Sequence, residues 1–481
     1  MARIQHYIGG AYTQSGSVHW GNVYNPATGE TIHQVAFADA IEVDTTVRIA
    51  NKAFSSWAST PSSIRSAILS RFGELLRKEA ESLAALITEE NGKTLAEARG
   101  EIARGIQIVE FSCGMESYLK GEFSAQLRYG VDCWSIRQPL GVCVGITPSN
   151  FPAMVPLWMF PIALACGNTF ILKPSEHAPS ASLRLAEFLT CAGLPAGVFN
   201  VINGGEETGR ALLTHSQVAA VSFVGSTAVA KRVYATAAQH AKRVQAFGGA
   251  KNHLIVTPTA DIDKVVDALV YASFGSAGQR CMAVSVVVVI GTASTEFLDK
   301  LVARIKTLKI GPGTHAETEM GPLISRDHLQ DVCSYIDLGL REGAHLLIDG
   351  RDITVKGYEK GFFLGPSIFD SARSDMKIYK EEVFGPVLLV MHAENFADAM
   401  SLVNSSEYGN GAAIFTQNGR IARAFAAQVQ VGMVGINVPV PVPPATYSFG
   451  GWKSSRFGDT AMHGIEGVRF YSQLKTVTAS W

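Results

Sequence analysis

The chain has 481 residues, more than one compact core usually holds, so the sequence predicts two or three domains. A hydrophobic fraction of 47% and a charged fraction of 17% are typical of a well-buried globular protein and exclude a largely disordered chain. The formal net charge of -1 gives no electrostatic basis for binding nucleic acid or an anionic membrane surface.

In chain order, the first strong patterns are a helix at 94–112 and a hairpin at 122–139 that projects from the body. Short apolar strands then alternate with helices. The predicted strands are 141–147, 169–173, 198–202, 220–224 and 244–247, and the predicted helices are 180–190, 207–215 and 228–240. This alternation predicts a parallel sheet with helices on its faces, and such sheets bind ligands at the carboxyl ends of their strands. Neither a G-x-G-x-x-G fingerprint nor a P-loop lysine is present, so a nucleotide site here would be of an unusual kind.

Residues 151–172 imitate a membrane span because they are long, apolar and nearly uncharged. Pro152, Pro156 and Pro161 interrupt them, and we interpret this segment as a buried helix of the α/β block. The N-terminal residues hold no basic region followed by an apolar stretch, so no secretory signal is predicted and the expected location is cytoplasmic.

A second alternating block covers residues 251–438. Its predicted strands are 284–290, 387–391, 412–415 and 434–437, and its predicted helices are 295–308, 327–342 and 397–403. Two α/β blocks in one chain predict an active site in the cleft between them. A terminal strand is expected at 468–481, and projecting strands of this kind usually pair with another element or subunit.

Seven cysteines are scattered along the chain with no spacing typical of a metal site, which indicates a reducing compartment and no bound metal. Cys281 differs from the others because it follows a Gly-rich turn and precedes an apolar strand. Arg280 adjoins it and would favour the thiolate, the nucleophilic form. The alternative is a buried structural cysteine.

Five short motifs follow one another along the chain between residues 147 and 386. They are Thr-Pro-Ser-Asn-Phe-Pro (147–152), Leu-Lys-Pro-Ser-Glu (172–176), Phe-Val-Gly-Ser-Thr (223–227), Gly-Gln-Arg-Cys (278–281) and Glu-Val-Phe-Gly-Pro (382–386). Together they resemble the NAD-dependent aldehyde dehydrogenases. The stretches 150–161, 249–253, 278–282 and 473–478 resemble more specifically the CoA-acylating methylmalonate-semialdehyde dehydrogenases of that family.

The resemblance implies an α/β fold with a Rossmann-type NAD-binding domain, an α/β catalytic domain and a small β oligomerisation element. The implied bounds are 1–121 and 142–248 for the NAD-binding domain, 249–455 for the catalytic domain, and 122–141 and 456–481 for the oligomerisation element. It also implies a homo-oligomer, a dimer of dimers, that is a homotetramer.

The resemblance also assigns the reacting groups. Cys281 would attack the aldehyde carbon, and the Asn150 side chain and the Cys281 backbone N–H would stabilise the developing oxyanion. An isolated asparagine before Phe-Pro would otherwise be read as a turn cap. For substrate binding, Arg104 and Arg280 match the family positions that hold the substrate carboxylate. A guanidinium suits this role because it can donate two parallel hydrogen bonds to a carboxylate. The competing interpretation of Arg104 is an i, i+3 pair with Glu101 on a solvated helix face.

NAD is the cofactor that the resemblance implies. Glu176 would accept hydrogen bonds from the ribose hydroxyls and repel a 2′-phosphate, which favours NAD over NADP. Ser226 begins a helix, where a pyrophosphate can bind, although a plain N-cap is the simpler interpretation. The full set of implied cofactor-binding residues is Lys173, Glu176, Ser226, Glu382, Ser149 and Phe151. Ser149 stands where the family has an aromatic residue, which predicts a smaller or wetter wall there.

Phe247 separates two chemistries. Hydrolytic members of the family place a water-activating glutamate four residues before the lysine that is here Lys251, and a phenyl ring cannot take a proton. This predicts slow hydrolysis and transfer of the acyl group to CoA, with Glu206, Glu207 or His253 as possible replacement bases. The implied reaction is oxidation and decarboxylation of methylmalonate or malonate semialdehyde to propionyl-CoA or acetyl-CoA. The alternatives are a hydrolytic semialdehyde dehydrogenase that releases a free diacid, and a non-catalytic member of the fold.

Overall fold

The computed structural model describes residues 2–291 and 294–481. The N-terminal part contains five short strands and four helices. They are β1 (Ala2–Ile4), β2 (His6–Ile8), β3 (Ala11–Thr13), β4 (Trp20–Asn25), β5 (Glu30–Ala36), α1 (Ala40–Ser59), α2 (Ser62–Lys78), α3 (Ala80–Asn91) and α4 (Leu95–Cys113). Thr94 and Glu97 form a capping box that fixes the first turn of α4, which lies close to the sequence-predicted helix at 94–112. β1, β4 and β5 form a separate three-stranded sheet.

The first large sheet follows a projecting hairpin. The elements of this region are β6 (Phe123–Arg128), β7 (Val131–Pro139), β8 (Val142–Ile146), α5 (Met154–Ala165), β9 (Thr169–Lys173), α6 (Ser180–Cys191), β10 (Phe199–Val201), α7 (Glu206–Thr214), β11 (Val218–Val224), α8 (Thr227–Gln239) and β12 (Arg243–Phe247). Strands β12-β11-β8-β9-β10 are parallel, with β2 and β3 added antiparallel at one edge. The predicted parallel sheet is therefore confirmed, with strand ends within two residues of prediction.

Helix α5 is the apolar segment that imitates a membrane span. All of its twelve residues are buried, and it includes Pro161 in its interior. Because this helix is apolar on every face, it packs inside the protein and not at a surface. Across both described ranges, no helix is long and apolar enough to cross a membrane.

The second large sheet confirms the second block. Its region contains β13 (Asn252–Val256), α9 (Ile262–Phe274), β14 (Val284–Ile290), α10 (Ser294–Lys306), α11 (Arg326–Arg341), β15 (His345–Ile348), β16 (Ser367–Asp370), α12 (Lys377–Lys380), β17 (Val387–Ala393), α13 (Phe396–Ser405), β18 (Tyr408–Gly409), β19 (Gly411–Phe415), α14 (Gly419–Gln428) and β20 (Met433–Ile436). The strand order is β15-β16-β17-β14-β13-β19-β20, and only the β15–β16 pair is antiparallel.

The C-terminal part differs from prediction in two places. Its elements are β21 (Trp452–Lys453), β22 (Arg456–Phe457), α15 (Gly464–Phe470) and β23 (Ser472–Ser480). β22 pairs with β12 and so extends the first large sheet, although 456–481 is predicted as part of the oligomerisation element. Residues 468–470, predicted as strand, end helix α15, because Val468 and Phe470 are buried in the core around α5. Only β23 joins the hairpin, pairing with β7 along nine residues. The domain bounds themselves stay a prediction.

Candidate active site

Cys281 lies between a short 3-10 turn, Gly275–Gly278, and the buried strand β14. The turn is an unusual conformation, since Ser276, Ala277 and Gly278 all have positive φ angles of 51 to 73°. For the two non-glycine residues such a conformation costs about 1 kcal/mol or more each, so the surrounding packing must hold it. A Cβ atom at Gly278 would lie 2.2 Å from the Gly385 carbonyl oxygen, so only glycine fits there.

Two asparagines hold the backbone of Cys281. Asn252 Nδ2 and Asn410 Nδ2 donate to the Cys281 carbonyl oxygen at 2.8 and 2.9 Å. Both asparagines are buried. The backbone of Cys281 is therefore fixed from the second large sheet, through residues that the sequence analysis did not single out. Asn252 belongs to the conspicuous stretch 249–253, whereas nothing in the sequence marks Asn410.

The Cys281 side chain lies where two cavities meet. One cavity, of about 760 Å³, is lined among others by Asn150, Ser226 and Glu382. The other, of about 530 Å³, is lined among others by Arg104 and Arg280. We call them the cofactor cavity and the substrate cavity. A thiol between them can be reached from both sides, which a structural core cysteine cannot.

Burial, together with the negative charge of Glu382, raises the pKa of the Cys281 thiol to about 12. Backbone N–H groups of Cys281 and Met282 and the charge of Arg104 oppose this shift. The prediction that Arg280 favours the thiolate is wrong, because Glu97 neutralises that guanidinium. The thiol is therefore protonated at neutral pH, and its proton has to leave before or during attack.

Asn150 is buried beside Cys281 and its amide is held in place. Asn150 Nδ2 donates to the Gln279 carbonyl oxygen at 3.0 Å. An amide nitrogen carries two hydrogens, so the second remains available to a ligand in the cavity that Asn150 and Cys281 both line. This geometry is what a pre-organised oxyanion donor requires.

In the cofactor cavity, the Glu382 carboxylate accepts a hydrogen bond from the Ala250 N–H at 2.9 Å. A Cβ atom at Gly249 would lie 2.3 Å from Glu382 Oε2, so glycine leaves room for the carboxylate. Burial raises the pKa of Glu382 to about 7, and the charge of Lys251 partly offsets this. Glu382 is thus a half-buried, pre-positioned acceptor and not the surface carboxylate of the simpler interpretation.

This pKa predicts that NAD binding strengthens with pH. Below pH 7 Glu382 is mostly protonated, and above it the carboxylate can accept hydrogen bonds from two ribose hydroxyls, so the Kd for NAD should fall several-fold between pH 6 and 8. Titration calorimetry at both pH values measures this. Glu382→Gln should remove most of the dependence, whereas substitution of its exposed neighbour, Glu381→Gln, should keep it. An unchanged pH dependence in Glu382→Gln would contradict the assignment.

Ser226, Lys173 and Glu176 lie along the carboxyl ends of the first sheet. Ser226 is the N-cap of α8, yet its side chain makes no capping hydrogen bond, so its exposed hydroxyl is free for a ligand. Lys173 is buried, 3.6 Å from Glu176, and burial lowers the pKa of Lys173. Both residues line a further cavity of about 380 Å³ beside α7 and α8. This is not the ordinary exposed Lys–Glu pair of the simpler interpretation.

Ser149 and Phe151 flank Asn150 in the chain. Phe151 lines the substrate cavity, and its ring centroid lies 4.1 Å from Lys93 Nζ. The ring lies beside Lys93 and lines the substrate cavity but not the cofactor cavity, so the predicted cofactor contact of Phe151 stays a prediction. The Ser149 carbonyl accepts a hydrogen bond from Asn91 Nδ2 at 2.9 Å, and its cofactor contact stays a prediction.

The two predicted arginines line the same substrate cavity but in different states. Arg104 is exposed and, among the residues that the structure describes, makes no ion pair; Glu101 is bound to Lys93 instead. Arg280 is 2.6 Å from Glu97 and lies over the Tyr271 ring. Glu97 also accepts the Ser276 N–H at 2.6 Å. Arg104 is thus the available cation for a substrate carboxylate, whereas Arg280 and Glu97 brace the turn before Cys281.

None of the three predicted replacement bases, His253, Glu206 and Glu207, lies beside Cys281. Phe247 is buried and packs near Phe449, with ring centroids 6.4 Å apart. His253 is buried, pairs with the Tyr379 hydroxyl at 3.0 Å, and burial lowers its pKa to about 3. Glu206 and Glu207 are exposed on α7, and Glu206 pairs with Arg232 at 2.9 Å. None of these three candidate bases lines a cavity next to Cys281.

The first sheet carries polar groups at the carboxyl ends of its parallel strands, and Cys281 of the second α/β unit lines a cavity with them. This arrangement suits thiol-dependent oxidation–reduction chemistry. A sequence model of the aldehyde dehydrogenase family matches residues 12–477. The chain belongs to the aldehyde dehydrogenase family, which confirms the resemblance found in its motifs.

Relatives with assigned names share almost the whole length. Malonate-semialdehyde dehydrogenase of Pseudomonas aeruginosa is 50% identical over 100% of this chain and 97% of its own. The acylating mitochondrial methylmalonate-semialdehyde/malonate-semialdehyde dehydrogenase of Homo sapiens is 45% identical over 99% of this chain and 89% of its own. These relatives and the alignment extent support the finer resemblance as well as the family.

Solved structures agree with the fold. Methylmalonate-semialdehyde dehydrogenase from Oceanimonas doudoroffii superposes with a TM-score of 0.99 at 48% identity, covering 100% of this chain and 99% of its own. A Sinorhizobium meliloti 1021 protein, assigned provisionally as a methylmalonate-semialdehyde dehydrogenase and solved in complex with NAD, has the same score and identity over 100% of this chain and 98% of its own.

Proposed function

We propose that this protein is an NAD-dependent, CoA-acylating dehydrogenase that oxidises and decarboxylates methylmalonate or malonate semialdehyde. The observation that carries the proposal is the position of Cys281, between a cofactor cavity with Glu382 and a substrate cavity whose available cation is Arg104. Phe247 in place of a water-activating glutamate supports transfer to a thiol over hydrolysis. The named relatives act on the same class of substrate.

The residues of the cofactor side fit NAD. Glu382 can accept hydrogen bonds from the nicotinamide ribose, Ser226 stands at a helix N-terminus suited to the pyrophosphate, and Glu176 can accept hydrogen bonds from the adenosine ribose. When bound, NAD supplies the hydride acceptor. The chain's part is to hold the two riboses and to leave the cavity open toward Cys281.

Attack by Cys281 on the aldehyde carbon forms a thiohemiacetal. The Asn150 amide and the Cys281 N–H donate to the oxygen as it becomes negative. Arg104 holds the substrate carboxylate through two parallel hydrogen bonds, which orients the aldehyde toward the thiol. Oxidation then leaves an acyl thioester on Cys281.

The thioester of a semialdehyde diacid has its free carboxylate beta to the carbonyl. Loss of carbon dioxide from that position is favourable because the thioester stabilises the carbanion as an enolate, which then takes up a proton. The CoA thiol attacks the remaining propionyl or acetyl thioester and releases Cys281. The overall balance is semialdehyde, NAD⁺ and CoA to acyl-CoA, carbon dioxide and NADH.

The decisive experiment is turnover with methylmalonate semialdehyde and NAD, with and without CoA, following NADH and identifying the acyl product by mass spectrometry. We expect one equivalent of NADH per active site without CoA and sustained turnover, with propionyl-CoA, when CoA is present. Sustained NADH release without CoA, with free methylmalonate as the product, would establish the hydrolytic alternative and overturn the role given to Phe247.

We also propose a homo-oligomer, as a dimer of dimers, assembled through the three-stranded sheet β23-β7-β6. Exposed apolar side chains lie on this sheet, in the turn between β6 and β7, and just after β23. They are Phe123, Leu127, Tyr129, Leu474 and Trp481. Light scattering after size exclusion tests the assembly. A cytoplasmic location is supported by seven cysteines that are all free of disulfides.

A further inference from the structure

We propose that Lys93 is a positioning residue for the oxyanion donor Asn150. The inference rests on the proposed function, since it takes Asn150 as that donor. Lys93 lies in the link between α3 and α4 and is 2% exposed. Its Nζ donates to the Asn150 carbonyl oxygen at 2.7 Å. Lys93 thus holds the backbone of the residue whose side chain faces the reacting thiol.

A buried carboxylate completes the arrangement. Lys93 Nζ is 2.5 Å from Glu101 Oε2, and Glu101 is also 2% exposed. The other oxygen of Glu101 accepts the N–H groups of Ala153 and Met154 at 2.8 and 3.0 Å. The Lys93–Glu101 pair therefore binds the backbone on both sides of Pro152, at the Asn150 carbonyl and at the N–H groups of Ala153 and Met154.

The segment that the Lys93–Glu101 pair binds has no regular secondary structure. Residues 148–153 lie between β8 and α5, so their backbone polar groups need partners outside a helix or strand ladder. Asn91, the last residue of α3, donates through its Nδ2 to the Ser149 carbonyl oxygen at 2.9 Å. Side chains from the α3–α4 region thus supply the order that the segment lacks by itself.

The position of the Asn150 amide follows from two anchors. Lys93 holds its backbone carbonyl, and the Gln279 carbonyl accepts one hydrogen of its side chain at 3.0 Å. If Lys93 is lost, the side chain keeps only the Gln279 anchor and its second hydrogen is no longer fixed on the oxyanion. A displacement of about 1 Å at a catalytic group can cost roughly a hundredfold in rate.

A buried charge pair can also be purely structural, so the test has to separate the two roles. The readout is the single-turnover rate of NADH formation with methylmalonate semialdehyde, measured in a cycle of Lys93→Met, Asn150→Ala and the double variant. We expect Lys93→Met to lower this rate about ten- to a hundredfold in the native background and less than about twofold in the Asn150→Ala background. The Kd for NAD should stay within about twofold throughout.

Lys242→Met is the matched control. Lys242 is another buried lysine, and its Nζ donates to two carbonyl oxygens, of His215 and Val218, away from both cavities. Its loss should lower the melting temperature without changing the single-turnover rate. Should Lys93→Met fail to fold, Lys93→Met/Glu101→Gln leaves no unpaired buried charge and enters the same cycle with the same criteria.

An equal loss of rate in both backgrounds, or no loss in either, would overturn the positioning role. A full rate in Asn150→Ala alone is a different result, because it would show that Asn150 is not the oxyanion donor of the proposed mechanism. The two failures are therefore distinguishable in one set of proteins.

Discussion

Replacement of Cys281 by alanine should abolish NADH formation, by about 10⁴-fold or more, while NAD binding is preserved. The reason is that no other thiol lines the two cavities that meet at Cys281 in the described ranges, so no covalent intermediate can form. Single-turnover absorbance at saturating NAD and semialdehyde measures the rate, and titration calorimetry measures NAD binding.

Cys191→Ala serves as the control for this prediction. Cys191 is exposed at the end of α6, so its substitution should leave the rate of NADH formation unchanged. The raised pKa of Cys281 adds a second observable. Because only the thiolate reacts, alkylation of Cys281 in the enzyme without cofactor should be slow at pH 7 and accelerate about tenfold per pH unit up to pH 9. NADH formation by Cys281→Ala above a hundredth of the native rate would contradict the assignment.

Arg104→Met should lower kcat/KM for methylmalonate semialdehyde by about a hundredfold or more, yet leave propanal nearly unaffected. Charge-assisted, bidentate hydrogen bonds to a carboxylate contribute about 3 kcal/mol, and an uncharged aldehyde makes none of them. Methionine keeps most of the arginine stem, so the walls of the substrate cavity stay in place. Steady-state kinetics with both aldehydes measures the difference.

Arg99→Met is the matched control for Arg104. Arg99 lies on the same helix, α4, and pairs on the surface with Glu81 at 2.8 Å, away from both cavities. Arg99→Met should leave kcat/KM unchanged for both methylmalonate semialdehyde and propanal. Equal losses for the acid and for propanal in Arg104→Met would show that the residue shapes the cavity and does not bind the carboxylate.

Most of the fold could be predicted because its strands are buried on both faces. Strands β9 and β14 are built mainly from the apolar runs Phe170–Leu172 and Val286–Ile290, and their bounds coincide with the predicted ones. Helix α15 was not predicted, because Val468 and Phe470 fit an apolar strand pattern and only their packing around α5 makes them helical. The pairing of β22 with β12 has no local signal, since it joins residues about 210 positions apart.

The proposed reacting groups, Cys281 and Asn150, each lie in a recognisable motif, so the sequence alone could single them out. The residues that hold these groups in place could not be predicted from the sequence. Lys93, Glu97 and Glu101 are charged residues on or near a helix, and a sequence pattern assigns such residues to solvent by default. Glu101 bonds to Ala153, 52 residues further along the chain, and Glu97 bonds to Ser276, 179 residues further. Arg280 was given the wrong electrostatic role for the same reason, as its partner Glu97 is 183 residues away.

The close contact between Gly278 and the Gly385 carbonyl makes the two loops that carry them sterically dependent on each other. The nucleophile turn and the Glu382 segment touch so closely that a methyl group does not fit between them. A chimera that takes one loop from a distant relative must therefore take the other with it. The Val438–Val442 wall of the substrate cavity has no such constraint from that contact, and libraries aimed at new aldehydes are best built there.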